Sequence, residues 1–218
     1  MGAVLNESGH RSQHVYFPTT SIVSLLYVSA ERASDEIAVV GNEGIIGIAL
    51  LPGGATMRNR AVVHSAGRGY RLEEQWLNEE FGHGGALKPL LLRYTQALLT
   101  DMSLTAACNR HHSVDQQLCR RLLLSLDRLP SNELSMTQQF MATMLGVRRE
   151  GITEAAGRLQ HAGVIHYCRG HITVIDRPRL ETRVCECYQV VKAEFNRLLP
   201  DASRSLRSGA NAAAVVSP

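Results

Sequence analysis

The sequence predicts an α+β protein that combines an antiparallel β-roll of the cupin or jelly-roll type, a long dimerisation helix and a C-terminal winged helix-turn-helix. Short apolar segments separated by glycine and polar turns fill residues 14–72, as in rolls and barrels of short strands. An apolar stripe at helical spacing runs through residues 86–111. Residues 135–176 then read as two short helices joined by a tight turn and followed by a β-hairpin.

The predicted roll occupies residues 1–83. Its apolar segments either alternate with polar residues or run continuously, and glycines between residues 41 and 54 interrupt them. A short helix over residues 73–82, around Trp76 and Phe81, is expected to follow the last strand. The four predicted strand segments are HVYFP (14–18), SIVSLLYVS (21–29), DEIAVVG (35–41) and NRAVVHSAG (59–67).

Residues 84–112 are predicted to form the dimerisation helix. Its apolar residues recur at alternating spacings of four and three, which is the repeat of a helix that packs along a second helix. Leu98 lies near the centre, where contact with the partner is expected. The alternative is that this face packs on the helix's own domain. The stripe consists of Leu91, Thr95, Leu98, Met102 and Thr105, widened by Leu87, Leu90 and Tyr94.

Residues 113–180 are predicted to form the winged helix-turn-helix, after a helix over residues 114–129 and a linker at residues 130–132. Gln138 opens the first helix of the motif. Ala142 supplies the small side chain that two crossing helices need, and Gly146 supplies a positive φ at the turn without a Cβ clash. The apolar residues expected to join the two helices are Met141, Leu145, Val147, Ile152 and Ala155.

The second helix of the motif begins with Arg148, Arg149 and Glu150. Arginine at this end opposes the helix dipole at a cost of a few tenths of a kcal/mol, which a phosphate or guanine partner would offset. Guanidinium and carboxylate groups can also hydrogen-bond to base edges in the major groove. The alternative is an ordinary helical hairpin, which needs the turn glycine but not the arginine pair.

The end of the chain is predicted to contain the wing, one helix and a tail. Gly163 caps the second helix, two short strands flank a turn at Arg169-Gly170, and a single amphipathic helix runs over residues 179–198. As a unit of the chain, this C-terminal helix is assigned to residues 181–199, after the winged helix-turn-helix that ends at residue 180. Residues 200–218, rich in alanine and serine, are predicted to be a disordered tail.

The composition allows a substantial core and favours arginine strongly over lysine. Hydrophobic residues make up 44% of the chain, which argues against general disorder. The formal charge of +3 says little about nucleic acid, but only Lys88 and Lys192 among the 23 basic residues are lysines. Arginine suits bidentate phosphate and guanine contacts, although codon usage in a GC-rich genome would raise its frequency as well.

The five cysteines predict reduced thiols in a cytoplasmic protein, because their number is odd and no CxxC pair occurs. No signal peptide or membrane-spanning run is apparent. Candidate zinc ligands are Cys185 and Cys187 with His166, Cys168 and His171, and also His111 with His112. The spacing matches no common zinc motif, and a helix end explains the two adjacent histidines, so neither a metal nor a cofactor is predicted.

The segments MTQQFMATMLGVRREGITEAAGRLQHAGVI (136–165) and RGHITVID (169–176) resemble the DNA-binding part of the Crp/Fnr family of bacterial transcription regulators. The segment GNEGIIGIALLPGGATMRNRAVVHSAG (41–67) is similar to the core of that family's sensory domain, and the element order agrees as well. Measured against the family, the chain starts late, so the resemblance implies a partial roll. The residues that match the family's motif are Thr137, Gln138, Ala142, Gly146, Arg149 and Glu150.

The resemblance implies a cytoplasmic homodimer that binds double-stranded promoter DNA, with RNA polymerase as a further partner. Arg149 and Glu150 would read base edges, while Arg148 and Glu154 would lie next to each other, with Arg148 towards phosphate. The residues expected to contact phosphates with the wing backbone are Thr137, Gln138 and Arg169. The alternative is an effector-sensing or protein-interaction module whose helix-turn-helix no longer reads DNA. No catalytic constellation is visible, so an enzyme is not predicted.

Two departures from the family concern effectors. Members that bind cyclic nucleotides carry a glutamate where this chain has Ile48, and an Arg-Ser/Thr pair where it has Arg60 and Ala61. A site that lacks its polar partners loses much of its affinity, so cyclic-nucleotide binding is not expected. Iron–sulfur members use an N-terminal cysteine cluster, whereas the first cysteine here is Cys108.

Overall fold

The computed structural model describes residues 2–29, 34–51, 54 and 56–200. Within these residues the strands are β1 (Val4–Asn6), β2 (His14–Pro18), β3 (Ile22–Val28), β4 (Ser34–Val40), β5 (Asn59–Ser65), β6 (Gly69–Glu73), β7 (Glu133–Ser135), β8 (Ile165–Cys168) and β9 (His171–Val174). The helices are α1 (Glu74–His83), α2 (Leu87–His111), α3 (Val114–Leu126), α4 (Gln138–Leu145), α5 (Arg149–His161), α6 (Arg177–Glu181) and α7 (Cys187–Leu198).

The N-terminal half is an antiparallel roll. A four-stranded sheet has the order β1-β5-β3-β4, and β2 pairs with β6 to form a second layer. Val15 of β2 and Val23 of β3 are fully buried in the same apolar cluster, which shows that the two layers share one core. All four predicted strand segments are confirmed. Strands β1 and β6 were not among the predicted segments. Strand β1 has only three residues, and β6, with the sequence GYRLE, is mostly exposed, so neither shows a clear apolar pattern.

The long helix α2 is confirmed, but the predicted orientation of its apolar stripe is wrong. Leu91 and Leu98 are 4% and 5% exposed, because they pack into the core of the chain's own roll. The neighbouring residues Leu92 and Leu99 are 54% and 60% exposed. A second line of residues with the same spacings of four and three lies on the exposed side of α2, although it includes the polar residues Gln96 and Ser103. This second line, called the outer seam below, consists of Leu92, Gln96, Leu99, Ser103 and Ala106.

Helix α3 and the residues just after it join the roll to the C-terminal half through three buried arginines, which sequence patterns did not predict: Arg120 and Arg121 lie in the helix, and Arg128 lies two residues beyond its end. Arg120 donates to Asp101 of α2 at 2.6 Å and to the Thr105 hydroxyl at 3.1 Å. The other two pairs join this segment to the roll: Arg121 with Glu36 of β4, and Arg128 with Glu43 at an Nε–Oε1 distance of 2.7 Å. All six charged residues of these pairs are buried or nearly so.

The C-terminal half has its own core, in which α3, α4 and α5 pack against the three-stranded sheet β7-β9-β8. The predicted single helix over residues 179–198 is wrong. Asp176 caps α6 by accepting from the Arg179 amide at 2.9 Å, α6 ends at Glu181, and α7 starts at Cys187. The intervening turn buries Cys185 and Cys187 against Cys108 of α2, a tertiary contact that helical periodicity does not contain.

The predicted disordered tail begins at Pro200, and its residues 201–218 lie outside the described part of the chain. Within the described part, no helix combines the length and the hydropathy that crossing a bilayer requires.

A buried histidine lies where the roll meets the C-terminal half. The His64 ring of β5 contacts the Phe140 ring of α4 edge-on, with the centroids 5.0 Å apart, and His64 is 1% exposed. Burial, assisted by the positive charge of Arg121, lowers the pKa of His64 to about 3. The His64 imidazole is therefore protonated near pH 6.5 in the unfolded chain but only near pH 3 in the folded chain.

We expect this histidine to make the protein acid-labile. Above pH 6.5 the histidine is neutral in both states and the free energy of unfolding does not depend on its protonation. Between pH 6.5 and pH 3 the unfolded state is favoured by protonation, so the free energy of unfolding falls by up to about 1.4 kcal/mol for each pH unit. Urea unfolding at pH 7 and pH 5 should differ less for His64→Leu than for the parent protein. His166→Leu, at an exposed site in β8, is the matched control. An unchanged difference in His64→Leu would contradict the assignment.

Candidate nucleic-acid interface

The first helix of the motif, α4, begins and ends as its sequence dictates. The Thr137 hydroxyl caps it by accepting from the Phe140 amide at 3.1 Å. Gly146 ends it with φ 61° in the left-handed region, as predicted. A Cβ at Gly146 would come within 2.7 Å of Asp35 Oδ1, but this exposed carboxylate can move aside, so the positive φ is what requires glycine. The predicted Ala142 contact is confirmed, since this residue is 3% exposed.

The second helix, α5, presents its polar N-terminus to solvent. Arg148 is its N-cap residue, with extended backbone and no side-chain cap, and the helix proper begins at Arg149. The side chains of Arg148, Arg149 and Glu150 are exposed, while Ile152 is buried in the core beneath them. This end of the helix therefore offers two guanidinium groups, one carboxylate and free backbone amides to a ligand.

One contact aligns the two helices at this surface. The Thr153 hydroxyl lies 3.1 Å from Gln138 Oε1 and 3.0 Å from the Arg149 carbonyl oxygen. Gln138 is thus held at the start of α4, facing one turn of α5. Thr153 is exposed and lies one turn after Arg149, so it belongs to the same outward face. The sequence analysis missed it, although its position four residues after Arg149 was a usable signal.

An ion pair fixes the far side of α5. Arg158 donates to both carboxylate oxygens of Asp115 on α3, at 2.8 and 2.5 Å, and thereby holds the pKa of the Asp115 carboxyl below its usual value. Glu154 lies 3.7 Å from Arg158, one turn away on the same helix. Glu154 is therefore paired with Arg158, because a spacing of four residues brings side chains together on a helix.

The wing is a β-hairpin held against α5 and the start of the motif. The Tyr167 amide donates to Gln160 Oε1 at 2.7 Å, and the Met136 amide donates to the Gly170 carbonyl at 2.7 Å. The turn contains two left-handed residues, Arg169 with φ 47° and Gly170 with φ 84°. Positive φ is uncommon for a residue with a Cβ, and here it leaves the Arg169 side chain exposed at the tip.

The exposed residues form one continuous polar surface along α5 and the wing, called the recognition face below. Six of the seven predicted site residues are exposed and Gln138 is half-buried. An exposed helix start and an exposed wing turn on one domain are the features with which a winged helix-turn-helix contacts the major groove and the adjacent backbone. The recognition face consists of Thr137, Gln138, Arg148, Arg149, Glu150, Thr153, Glu154 and Arg169.

The residues that depart from the cyclic-nucleotide pattern have structural roles in the roll. Ile48 is half-buried in a short 3-10 helix, Ile48–Leu50, and Ala61 is fully buried. The Arg60 guanidinium is paired with Glu7 of the neighbouring N-terminal segment, at an Nη2–Oε1 distance of 3.0 Å. The Arg60 guanidinium is therefore already paired with a carboxylate of the same chain.

Sequence comparison identifies the C-terminal half. A family profile described as "Crp-like helix-turn-helix domain" matches residues 116–183, which contain most of α3, both helices of the motif and the wing. These residues form a Crp-like helix-turn-helix domain. No curated protein sequence matches the chain. The Crp-like domain carries every residue of the recognition face.

Solved structures extend the likeness to the roll and the long helix. TTHB099, a CRP-family transcriptional regulator from Thermus thermophilus, superimposes with a TM-score of 0.69 at 15% identity, covering 84% of this chain and 93% of that one. FixK2 from Bradyrhizobium japonicum superimposes with a TM-score of 0.69 at 16% identity, with the same coverage of both chains. TTHA1359, a CRP/FNR-family regulator also from Thermus thermophilus, gives 0.65 at 20% identity, covering 83% and 93%. The chain thus has the CRP/FNR fold, with its Crp-like domain at the C-terminus.

Proposed function

We propose that the protein is a sequence-specific DNA-binding transcription regulator that acts as a homodimer. The observation that carries this proposal is the recognition face, in which the polar start of α5 and the wing tip are exposed together on a Crp-like domain. An effector-sensing module that no longer reads DNA would have no need to keep Arg148, Arg149, Glu150 and Arg169 exposed to solvent on this surface. The fold relatives are described as transcriptional regulators, which agrees with a regulator and not with an enzyme.

The roles follow from position. Arg149 and Glu150, in the first turn of α5, would contact base edges, and Thr153 would follow one turn later. Thr137 and Gln138 at the start of α4, Arg148 at the N-cap and Arg169 at the wing tip would bind phosphates and fix the register. Glu154 would stay near the base edges with Arg158 as its neighbour.

The outer seam supports the homodimer. Leu92 and Leu99 are more than half exposed, and two such leucines seven residues apart on a 25-residue helix are the pattern of a helix pair. Two Crp-like domains related by a twofold axis would read half-sites one helical turn apart. We place this dimer in the cytoplasm, where it would act on promoters together with RNA polymerase.

The test compares two arginines of the recognition face. After an operator has been selected from random DNA, Arg149→Ala should lose roughly 5- to 150-fold in its preference for that operator, since a bidentate contact to guanine is worth about 1–3 kcal/mol. Arg169→Ala should weaken all sequences alike and lower the salt slope by about one per protomer.

Arg71→Ala serves as the control, because Arg71 is exposed on β6 of the roll. Fluorescence anisotropy at several salt concentrations gives both quantities. If the parent protein shows no sequence preference, or if Arg149→Ala keeps it, the proposed reading of bases is wrong.

A further inference from the structure

Three cysteines and one histidine meet where the long helix ends. Cys108 lies in the last turn of α2, and His112 is the C-cap residue of that helix. Cys185 lies in the turn before α7, and Cys187 is the first residue of α7. The three thiols are 1–3% exposed, and the four donor atoms all lie within 4.8 Å of one another. These four residues are called the thiol cluster below.

Two of the donor–donor distances match those of a tetrahedral metal site, and all of them are within 4.8 Å. The Cys108 and Cys185 sulfurs are 3.6 Å apart, and the Cys187 sulfur lies 3.7 Å from His112 Nδ1. Around a zinc ion with Zn–S of about 2.3 Å and Zn–N of about 2.0–2.1 Å, a tetrahedron places two sulfurs about 3.8 Å apart and a sulfur and nitrogen about 3.6 Å apart. An ion at the centre would thus reach all four donors with small side-chain adjustments.

A carboxylate stands behind the histidine. His112 Nε2 lies 3.3 Å from Glu186 Oε1, so the ring nitrogen opposite the cluster has an acceptor for its proton. With the proton on Nε2, the lone pair of Nδ1 points to the thiols. This pairing of a carboxylate with the non-ligating nitrogen is the usual support of a metal-bound histidine. The His112 carbonyl is also held, by the Gln117 side-chain amide at 2.9 Å.

We propose that the thiol cluster binds one zinc ion as a structural site. Three thiolates and an imidazole select a soft or borderline divalent ion over magnesium or calcium, and four protein ligands leave no open position for catalysis. Sequence spacing gave no sign of the site, because the ligands come in two pairs separated by 77 and 75 residues. Cys168, a candidate ligand on sequence grounds, is exposed on β8 and takes no part.

The site would join two parts of the chain. It ties the C-terminal end of α2 to the start of α7, which packs along α2 beyond the Crp-like domain. Metal binding would therefore add a cross-link between the dimerisation helix and the segment that follows the wing. Loss of the metal should lower the thermal stability of the whole chain, since such a site binds only when both segments are in place.

The test uses the full-length reduced protein. Apoprotein prepared with a chelator under reducing, anaerobic conditions is titrated with Co²⁺, a spectroscopic substitute for zinc, and then with Zn²⁺. We expect one ion per chain, the visible absorption of tetrahedral cobalt with sulfur-to-metal charge transfer, displacement of cobalt by zinc, and a rise in Tm of at least about 5 °C. This part needs no variant, so it does not depend on the folding of a mutant.

Variants then locate the ligands. Cys185→Ser and His112→Ala should each bind zinc at least 10-fold more weakly, whereas Cys168→Ser should bind it as the parent does. Failure of the reduced parent protein to take up cobalt or zinc would overturn the proposal. So would unchanged binding in Cys185→Ser, or recovery of Cys108 and Cys185 as a disulfide that forms in preference to metal binding. None of these readouts involves DNA, so the result is independent of the proposed function.

Discussion

Leu98→Glu should destabilise or unfold the protein, whereas Leu99→Glu should leave it folded and separate the dimer. The two residues are adjacent on α2, so their side chains point about 100° apart around the helix axis: Leu98 is 5% exposed and packs into the roll, while Leu99 is 60% exposed in the outer seam. A carboxylate in place of Leu98 would be buried without a partner, at a cost of about 3 kcal/mol or more. At position 99 it is hydrated in the monomer and becomes buried only on dimerisation.

Light scattering and urea unfolding distinguish the two effects. We expect Leu99→Glu to have the molar mass of a monomer, a nearly unchanged monomer fold by circular dichroism, and much weaker operator binding because a single half-site remains. Leu99→Gln is a matched control for the loss of the leucine without the charge. A dimeric Leu99→Glu variant that binds DNA normally would place the dimer interface elsewhere.

Arg121→Ala should lower the free energy of unfolding by about 3–5 kcal/mol, because it leaves the Glu36 carboxylate buried without its ion-pair partner. Burial already raises the pKa of Glu36, and Arg121 is the main group that opposes this effect. The double variant Arg121→Met/Glu36→Gln removes both charges and should recover much of the loss, since replacing a buried pair is often neutral.

Arg60→Ala provides the comparison, because Arg60 makes a similar ion pair with Glu7 in which both side chains are more than a third exposed. We expect it to cost less than about 1 kcal/mol. Urea unfolding at pH 7 measures all three variants. A loss in Arg121→Ala no larger than that in Arg60→Ala would show that the buried pair contributes little.

Local patterns predicted those parts of the structure that depend on local chemistry. The start of α4 at Gln138, the positive φ of Gly146 and the polar start of α5 each depend on only a few consecutive residues. The same is true of the wing, where Arg169 and Gly170 lie between two short apolar segments. The recognition face could therefore be assembled almost entirely from the sequence.

Features that depend on tertiary contacts could not be predicted in this way. Helix α2 carries a four-three repeat on two sides, so periodicity alone could not tell that Leu98 faces the roll and Leu99 faces solvent. The partner of Arg121 is a carboxylate on a distant strand, and the residues of the thiol cluster come from the end of α2 and from the segment that leads into α7. Such contacts require the fold to be known first.

Helix α3 connects the N-terminal half to the recognition face mechanically. Arg120 and Arg121 of this helix pair with carboxylates on the long helix and on β4, and Arg128, just after its end, pairs with a carboxylate on the turn that follows β4. A displacement of β4 relative to α2 would stretch at least one of these pairs unless α3 moved as well. Since α3 packs directly on α4 and α5, movement of α3 would tilt both helices of the motif together. In the proposed dimer, any effector that repositions β4 would thus change the angle at which the two copies of α5 approach DNA.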